Sequence, residues 1–355
     1  MISANNDIRW PAEWEPHSCT LLTWPQRPEL WSGRIEAVRA AYISIVRALI
    51  GDDPTNPDER VLVLVNDEPT RNAVRARFIE HEIECAPGGP VEFLTIATND
   101  VWIRDYGPLR MYADSGNSAY MTSFQFTGWG GKFVADADNR AAEKIAAHFG
   151  ERVRKDPDFV LEGGAIETNG RDLLITTGAC LLHPNRNPNL SRDAIEARLR
   201  ATLGIRDVLW LPNGLPGDDT DGHVDMITRL VGEETVLTCL PDDENHPAYA
   251  ALAENLACLR DYRRPDGGVL KILELPMPPP RFAPDSDVPI PESYANFYIG
   301  NRAVLVPVFG DDATDQRALN IIAAAFPNRR VVAIPGSDLI LEGGGIHCMT
   351  MQVPA

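Results

Sequence analysis

A cysteine, a histidine and several carboxylates lie in short glycine-rich or acidic segments of this sequence. Residues 341–348 read LEGGGIHC and nearly repeat residues 161–167, which read LEGGAIE, but only the later copy ends in a cysteine, Cys348. Repetition of this kind indicates a chain built from related units. The difference between the copies predicts that one unit acquired a reactive thiol.

Cys348 has the surroundings that a nucleophilic thiol needs. A thiol attacks as the thiolate, so it requires an open approach, an acid/base group and an environment that favours negative charge. Glycines 343–345 provide the approach, although three glycines also suit a plain tight turn. His223 is the candidate acid/base residue. The acidic sequence opposes ionisation of a thiol whose ordinary pKa is about 8.5, whereas a cationic substrate would favour it.

His223 and Asp225 flank a single residue in the segment GHVD. We predict a strand over residues 224–231, and alternation from its first end would direct both side chains to the same side. Taken alone, such a pair is typical of a hydrogen-bonded structural histidine or of part of a metal site. A metal needs further ligands, and His347 and Cys348, as neighbours on a strand, would face opposite sides. We therefore expect no metal.

Carboxylates recur in the same kinds of segment. Asp105 lies within residues 99–108, Glu162 in the first glycine turn, and Asp225 beside the histidine. A guanidinium group offers five N–H donors in one plane and pairs naturally with two carboxylates. Each acidic turn taken singly would be a solvated loop. Their recurrence beside Cys348 favours a site for a cationic guanidine.

The composition favours a protein with a substantial core and no affinity for nucleic acid. The chain has 355 residues, 44% of them hydrophobic, and a formal net charge of −18 at pH 7. That charge disfavours nucleic acid and anionic membranes as partners and favours a cationic one. The cysteines form no CxxC pair, so neither a disulfide framework nor a structural zinc site is expected. No apolar run reaches membrane-spanning length and the N-terminus lacks a secretory pattern, so we expect a cytoplasmic location.

Short apolar runs bounded by glycine, proline, asparagine or aspartate predict many strands and fewer helices. The predicted strands cover residues 61–65, 91–96, 173–177, 224–231, 236–240, 269–275, 303–309 and 331–334. Helical periodicity covers 35–49, 194–203 and 318–326, the last opened by Asp312. Residues 276–291, rich in proline and aspartate, predict an extended surface loop, with a lid as the less favoured alternative. Because both patterns resume after this loop, we predict one domain over residues 1–355.

Nine short segments carry a pattern that extends over nearly the whole chain. They are 10–17 (WPAEWEPH), 24–25 (WP), 98–108 (TNDVWIRDYGP), 128–131 (GWGG), 161–164 (LEGG), 183–188 (HPNRNP), 219–225 (DTDGHVD), 293–298 (SYANFY) and 343–348 (GGGIHC). In this order they resemble agmatine deiminase, a family grouped with the peptidyl-arginine deiminases and other guanidine-modifying enzymes. A single glycine turn would be weak evidence, whereas the ordered series is specific.

The resemblance implies an α/β fold, a five-fold pseudosymmetric α/β propeller of ββαβ units around a central site. It also implies a hydrolase without metal or organic cofactor, and a homo-oligomer. Cys348 matches the family's nucleophile, His223 its acid/base residue and Glu162 the carboxylate that supports the histidine. Asp105 and Asp225 match the pair that binds the guanidinium. The thiolate would form a covalent S-alkylthiouronium intermediate, which water then hydrolyses.

The end of the substrate remote from the guanidinium decides its identity. Agmatine ends in an ammonium group, free arginine in a zwitterion and peptidyl arginine in a backbone. We expect Trp102, Asp219 and Gly345 to contact the substrate. Trp102 also suits a core position, and Asp219, like Asp218, also suits a turn cap. Agmatine, giving N-carbamoylputrescine and ammonia, is favoured over free or peptidyl arginine, which would give citrulline. The remaining alternative is an inactive propeller that binds polyamines or proteins.

Overall fold

The computed structural model describes residues 8–53, 56–113, 118–283 and 285–355. Within these ranges the chain forms sixteen short strands. They are β1 (His17–Thr23), β2 (Val61–Val65), β3 (Val91–Thr95), β4 (Leu109–Ala113), β5 (Ser118–Gln125), β6 (Val153–Val160), β7 (Ile166–Thr168), β8 (Leu173–Thr177), β9 (Asp207–Leu211), β10 (Thr228–Gly232), β11 (Thr235–Cys239), β12 (Lys271–Leu275), β13 (Tyr298–Ile299), β14 (Ala303–Val308), β15 (Arg330–Pro335) and β16 (Thr350–Pro354).

Six longer helices and several single turns connect these strands. The α-helices are α1 (Ile35–Ile50), α2 (Glu68–Glu80), α3 (Ile103–Tyr106), α4 (Gly128–Gly131), α5 (Asp138–His148), α6 (Gly178–Leu181), α7 (Arg192–Leu203), α8 (Tyr249–Asp261), α9 (Asp312–Ala325) and α10 (Ser337–Ile340). Short 3-10 turns cover Pro28–Trp31, Gly163–Ala165, Val224–Met226 and His347–Met349. Among the described residues, none of the helices has the length and apolar character needed to cross a membrane.

The strands form five small open sheets, which confirms the predicted α/β class. The sheet orders are β16-β1-β2-β3, β4-β5-β6, β7-β8-β9, β10-β11-β12 and β13-β14-β15. Each sheet contains an antiparallel pair and a further strand parallel to the second of the pair, as in β4, β5 and β6. A helix connects the two parallel strands. The sheet of β16, β1 and β2 has a fourth strand, β3, parallel to β2. The chain therefore consists of five ββαβ units, one of which joins β16 to β1, where His17 lies opposite Pro354.

Several predicted elements are confirmed because local signals and burial agree. The run 61–65 (VLVLV) is the fully buried strand β2, as β-branched residues in a parallel sheet should be. Helix α7 begins where Ser191 caps the Ala194 N–H and ends at Gly204 in the left-handed conformation. Helix α9 begins at Asp312, as predicted. The described residues of 276–291 form neither a helix nor a strand, in agreement with an extended loop.

The strand predicted over residues 224–231 is wrong in its first half. Val224–Met226 is a 3-10 turn, closed by the Ile227 N–H bond to the Val224 carbonyl oxygen at 3.0 Å, and strand β10 starts only at Thr228. The apolar residues of this run are buried in the turn as they would be in a strand. Burial alone therefore could not distinguish the two conformations.

Five short segments, which we call the leading turns, each precede the first strand of a unit. They are Ile103–Tyr106, Gly163–Ala165, Val224–Met226, residues 294–297 and His347–Met349. The first contacts both the second and the fifth, and the second contacts the third. The fifth binds the fourth, because the His347 N–H donates to Asn296. Equivalent positions of all five units therefore meet in one place.

A buried ionic cluster joins the N-terminal segment to these units. Glu13 accepts from Arg104 Nη2 at 3.1 Å, from Arg229 Nη2 at 2.9 Å and from the Ile299 N–H at 2.9 Å. Arg229 is fully buried and also donates to Glu167 at 3.1 Å and to the Phe297 carbonyl oxygen. Although burial alone would raise the pKa of Glu13, Arg229 and its other cationic neighbours hold it well below its ordinary value. The cluster therefore stores paired charges in the core.

We expect Arg229→Met to destabilise the fold severely. Removing one partner of a buried ion pair leaves uncompensated carboxylates, here on Glu13 and Glu167, and costs about 3–5 kcal/mol. Arg171→Met is the matched control, because Arg171 pairs with Glu233 at the surface, where a pair contributes about 0–1 kcal/mol. Urea unfolding of both variants measures the difference. Equal stability of the two variants would contradict the importance of the cluster.

Candidate active site

Cys348 lies in the last leading turn with its thiol directed into the interior. The residue is 4% exposed. Its Sγ accepts from Asn296 Nδ2 at 3.3 Å and lies 3.7 Å from Asp225 Oδ2. Burial raises the pKa of the Cys348 thiol well above its ordinary value, and the carboxyl groups of Asp225 and Asp105 raise it further. The thiol is therefore protonated at neutral pH unless a positive charge enters the site.

Asp105 is held rigidly from two directions. Its Oδ1 accepts the Gly164 N–H and its Oδ2 accepts Trp129 Nε1–H, both at 2.9 Å. Burial raises the pKa of Asp105 well above its ordinary value, and the nearby Asp225 carboxylate adds to the effect. A nearby cation would lower the pKa of this carboxyl group and so stabilise its ionised form.

Asp225 is also buried, but one of its oxygens is free. Oδ2 lies 2.7 Å from His347 Nδ1, whereas Oδ1 has no hydrogen-bond partner among the described residues. Burial alone would raise the pKa of Asp225, yet the hydrogen bond and charge of His347 hold it below its ordinary value. Asp225 thus presents an ionised carboxylate with an open acceptor beside the thiol. His347 and Cys348, expected to face opposite sides, both reach Asp225, because a 3-10 turn does not alternate as a strand does.

His223 is completely buried, and neither ring nitrogen has a hydrogen-bond partner in the described part of the chain. Its backbone N–H is held by Asp218 Oδ2 at 3.0 Å. The nearest carboxylate contact of Nδ1 is Asp105 Oδ1, at 3.6 Å. Burial lowers the pKa of His223 to about 4. The imidazole is therefore neutral near pH 7 and able to accept a proton.

Glu162 lies in the same buried region, paired with Arg186. Glu162 Oε1 and Arg186 Nε are 2.7 Å apart but lack hydrogen-bond alignment, so the contact is an ion pair. Glu162, Cys180 and His223 place one potential ligand atom each within 4.8 Å of one another. The Arg186 guanidinium, however, already supplies a positive charge to Glu162 and would repel a metal ion. The arrangement suits a carboxylate that supports an imidazolium.

Gly164 marks the point on which these polar groups converge. A Cβ at this position would lie 2.6 Å from His223 Nδ1, 2.8 Å from Asp105 Oδ1 and 3.1 Å from Asp225 Oδ2. Contacts between nonbonded atoms at such distances are repulsive, so only glycine fits here. Gly164, the second residue after Glu162, is thus as constrained as the catalytic candidates.

A cavity of about 170 Å³ connects Cys348 and Asp105 with the protein surface. Trp102 and the exposed Asp219 line it, and their contact with a substrate stays a prediction. Trp102 is also a core residue, 5% exposed and 6.1 Å from the ring of Trp31. Gly345 is not part of the lining.

Gly345 lies instead behind the cavity wall. A Cβ there would approach Asn296 Oδ1 to 2.5 Å, and the backbone of Gly345 helps to lower the pKa of the Cys348 thiol. Its neighbour Gly344 does line the cavity and packs on Trp102, where a Cβ would lie 2.4 Å from Cζ3. The triple glycine therefore allows close packing behind and beside the thiol.

The thiol of Cys348 and the carboxyl group of Asp105 line the cavity, while Asp225 and the neutral imidazole of His223 do not line it but lie close to them. These groups suit nucleophilic attack on a cationic amidine or guanidine. Comparison with known proteins agrees with this chemistry. The family described as Porphyromonas-type peptidyl-arginine deiminase matches residues 9–354. The chain belongs to this family. An agmatine deiminase of Pseudomonas aeruginosa (strain LESB58) is 35% identical, over 98% of this chain and 96% of the relative.

Two solved structures of other proteins are also similar to this chain. A cysteine-to-serine variant of C. jejuni agmatine deiminase with substrate bound has a TM-score of 0.86 and 27% identity, over 98% of this chain and 96% of that one. A dimethylarginine dimethylaminohydrolase variant has a TM-score of 0.52 and 13% identity, over 95% of this chain and 99% of that one. The latter comparison shows a shared fold alone.

Sequence analysis missed several residues that complete the site in this family member. Asn296 bonds to the thiol, Trp129 fixes Asp105, and Glu13 binds the histidine that precedes Cys348. All three lie inside segments that carried the resemblance, namely SYANFY, GWGG and WPAEWEPH. Their membership in those segments was a usable signal, whereas their contacts span distances in sequence that no local pattern reveals.

We expect Gly164→Ala to reduce kcat/KM for ammonia release from agmatine by about a hundredfold, because a shift of about 1 Å in reacting groups has effects of this size. The added methyl group would displace His223 or Asp105. Gly178→Ala is the control, since its Cβ would meet nothing closer than 3.8 Å. Steady-state kinetics and a thermal melt of both variants test this. Unchanged turnover in Gly164→Ala would show that the convergence point is not the reaction site.

Proposed function

We propose that this protein hydrolyses agmatine to N-carbamoylputrescine and ammonia, with Cys348 as the nucleophile. The observation that carries the proposal is the thiol of Cys348, which lines an acidic cavity together with Asp105 and lies 3.7 Å from the buried carboxyl group of Asp225. The agmatine deiminase relatives, which cover nearly the whole chain, support the same reaction.

Asp105 and Asp225 bind the guanidinium in this proposal. The free Oδ1 of Asp225 accepts an N–H from the substrate, and Asp105 releases its proton to solvent when the cation binds and regains it when the product leaves. Two carboxylates on one planar group fix its orientation and place its carbon opposite the thiol. Binding also places a positive charge near the protonated thiol, where the free site has none that would favour its ionisation.

The substrate's charge then activates Cys348. A cation within a few ångströms favours the thiolate, which offsets the burial that raises the pKa of the thiol. The proton passes to His223, whose low pKa in the free site leaves it ready to accept. The sulfur attacks the guanidinium carbon and forms a tetrahedral adduct.

Collapse of the adduct releases ammonia. His223 returns its proton to the leaving nitrogen, so the C–N bond breaks and an S-alkylthiouronium remains on Cys348. Water then attacks the same carbon with His223 as base, the C–S bond breaks, and N-carbamoylputrescine leaves. Glu162, close to His223, stabilises the imidazolium in both steps. His223 returns a proton to the sulfur, so the thiol and the imidazole regain their starting states. The proton left over from the guanidinium cation leaves with ammonia as ammonium.

The cavity rim favours agmatine over arginine. Asp100 and Glu342 line the cavity with Asp219, so carboxyl groups surround the space where the remote end of the substrate would lie. An ammonium group is attracted there, whereas the carboxylate of arginine is repelled. Trp102 and Phe133 offer apolar surface to the methylene chain between the two ends. The name of the matching family keeps peptidyl arginine as the second candidate substrate.

We also propose that the five ββαβ units surround one axis as an α/β propeller and that residues 1–355 form one domain. The pairing of β16 with β1 and the meeting of the five leading turns support this arrangement. A homo-oligomer and a cytoplasmic location remain predictions of the sequence.

We expect Cys348→Ala to abolish ammonia release from agmatine, a loss of at least about a thousandfold, because no other group in the cavity can form the covalent intermediate. Purified enzyme is assayed in parallel with agmatine, free arginine and an arginine peptide, and only agmatine should react well. The Cys258→Ala variant, at a partly exposed cysteine outside the site, serves as control. Turnover of agmatine by Cys348→Ala at the wild-type rate would refute the proposed mechanism.

The charge of a reagent should control how fast it modifies Cys348. We expect chloroacetamidine to inactivate the enzyme at least about tenfold faster than chloroacetamide at pH 7, because the cationic reagent binds the carboxylates and promotes the thiolate. The two reagents differ mainly in charge, which makes them a matched pair. Peptide mass spectrometry should locate the adduct on Cys348, and agmatine should protect. Equal rates would show that a bound cation does not activate this thiol.

A further inference from the structure

His347, the residue before the thiol, lies between two carboxylates. Its Nδ1 is 2.7 Å from Asp225 Oδ2 and its Nε2 is 2.7 Å from Glu13 Oε2. The side chain is 1% exposed, so no solvent intervenes. Neither contact is used by the chemistry proposed for His223.

The protonation state of His347 follows from the number of hydrogen-bond donors that its contacts with Asp225 and Glu13 need. A neutral imidazole has a single N–H, so it can donate to only one of two carboxylates. Glu13 is unsuited to supply the second proton, because its oxygens already accept from Arg104, Arg229 and the Ile299 N–H. Asp225 faces the thiol and His223 with its other oxygen free. Two short contacts therefore require donors on both ring nitrogens.

We propose that His347 is a fixed imidazolium that positions Asp225 for the substrate. Its Nδ1–H occupies Oδ2 of Asp225 and holds that carboxylate ionised, which leaves Oδ1 as the acceptor for a guanidinium N–H. Its Nε2–H anchors the pair to Glu13, which Arg104 and Arg229 in turn hold in place. His347 is thus a positioning residue that acts through Asp225, and this part of the inference rests on the proposed function.

The charges near the bridge are consistent with this state. Glu13, Glu167 and Asp225 contribute three carboxylates, and Arg104 and Arg229 contribute two cations. A cationic His347 makes the buried cluster neutral when all three carboxylates are ionised. A neutral His347 would leave one buried negative charge unpaired, which is costly in a core.

The two histidines of the site therefore differ in role. In this proposal His223, whose ring nitrogens have no hydrogen-bond partner among the described residues, exchanges protons during the reaction. His347 has both ring nitrogens in hydrogen bonds and keeps both of its protons. The titratable and charged groups that face Asp225 are His347, Cys348, His223, Asp105, Asp218 and Arg229. Of these, His347 is the cation in direct contact with the carboxylate.

The protonation state can be measured without any assay of activity. Wild-type protein labelled with ¹⁵N-histidine is examined by long-range ¹H–¹⁵N NMR from about pH 6 to about pH 9, a range in which an ordinary histidine becomes neutral. We expect both nitrogens of His347 to stay protonated throughout. Signals are assigned by their loss in His347→Gln or, if that variant does not fold, by their displacement in Cys348→Ala. An unprotonated ring nitrogen at neutral pH would overturn the proposal.

The kinetic consequence is tested with His347→Gln. Glutamine keeps one donor but has no charge, so Asp225 should retain its proton up to a higher pH. Since a protonated Asp225 no longer attracts the guanidinium, activity is lost as pH falls, and the loss should begin about one pH unit higher than in the wild type. KM for agmatine should rise about tenfold or more, with a smaller fall in kcat.

Thr350→Val is the matched control, because the Thr350 hydroxyl holds the same turn through the carbonyl oxygens of Ile346 and His347 without carrying charge. Its acid limb should stay at the wild-type pH. A reduced kcat with unchanged KM and pH profile in His347→Gln, or an equal displacement in both variants, would mean a structural role and overturn the proposal. If the wild type does not act on agmatine, the proposed function fails, while the NMR result still decides the state of His347.

Discussion

Every buried carboxylate near the centre of this molecule requires a positive charge or a set of N–H donors. Glu13 receives Arg104, Arg229 and His347, and Glu162 receives Arg186. The partners of Glu13 come from three different ββαβ units, so these units cannot separate without leaving a charge unpaired in a medium that solvates it poorly. Asp105 differs from Glu13 and Glu162, since it has N–H donors but no arginine or lysine partner among the described residues. That one deficit is what a guanidinium substrate would fill.

The leading turns explain how one repeated fold produces a mixed site. Each turn ends beside the same central space, and each presents a different group there: Asp105, Gly164, Asp225, Asn296 and Cys348. The backbone supplies the position, and the side chain at that position supplies the chemistry. A glycine is as specific a choice as a cysteine in this setting, because the space above Gly164 is where the other groups converge.

Local sequence patterns predicted the elements whose own residues determine them. Strand β2 is buried on both faces and helix α7 has caps at both ends, so periodicity sufficed. Helix α2 was missed, because it buries only Val74 and Phe78 and lacks a clear apolar stripe. The ordered motifs predicted the residue types of the site, but the bridge from Glu13 through His347 to Asp225 joins residues up to 334 positions apart. Such contacts depend on the closure of the whole structure, as does the turn at Val224–Met226 that replaced the expected strand.

The pairing of β1 with β16 limits how much of the protein can fold during its synthesis. The register places His17 opposite Pro354, so strand β1 cannot pair with β16 until residues 350–354 have been synthesised. The turn that carries Cys348 immediately precedes that strand and arrives at the same moment. Contacts of such sequence separation form slowly, because a long loop must be ordered before they are made. A nascent chain released before this point would therefore lack both the thiol of Cys348 and strand β16, which pairs with β1.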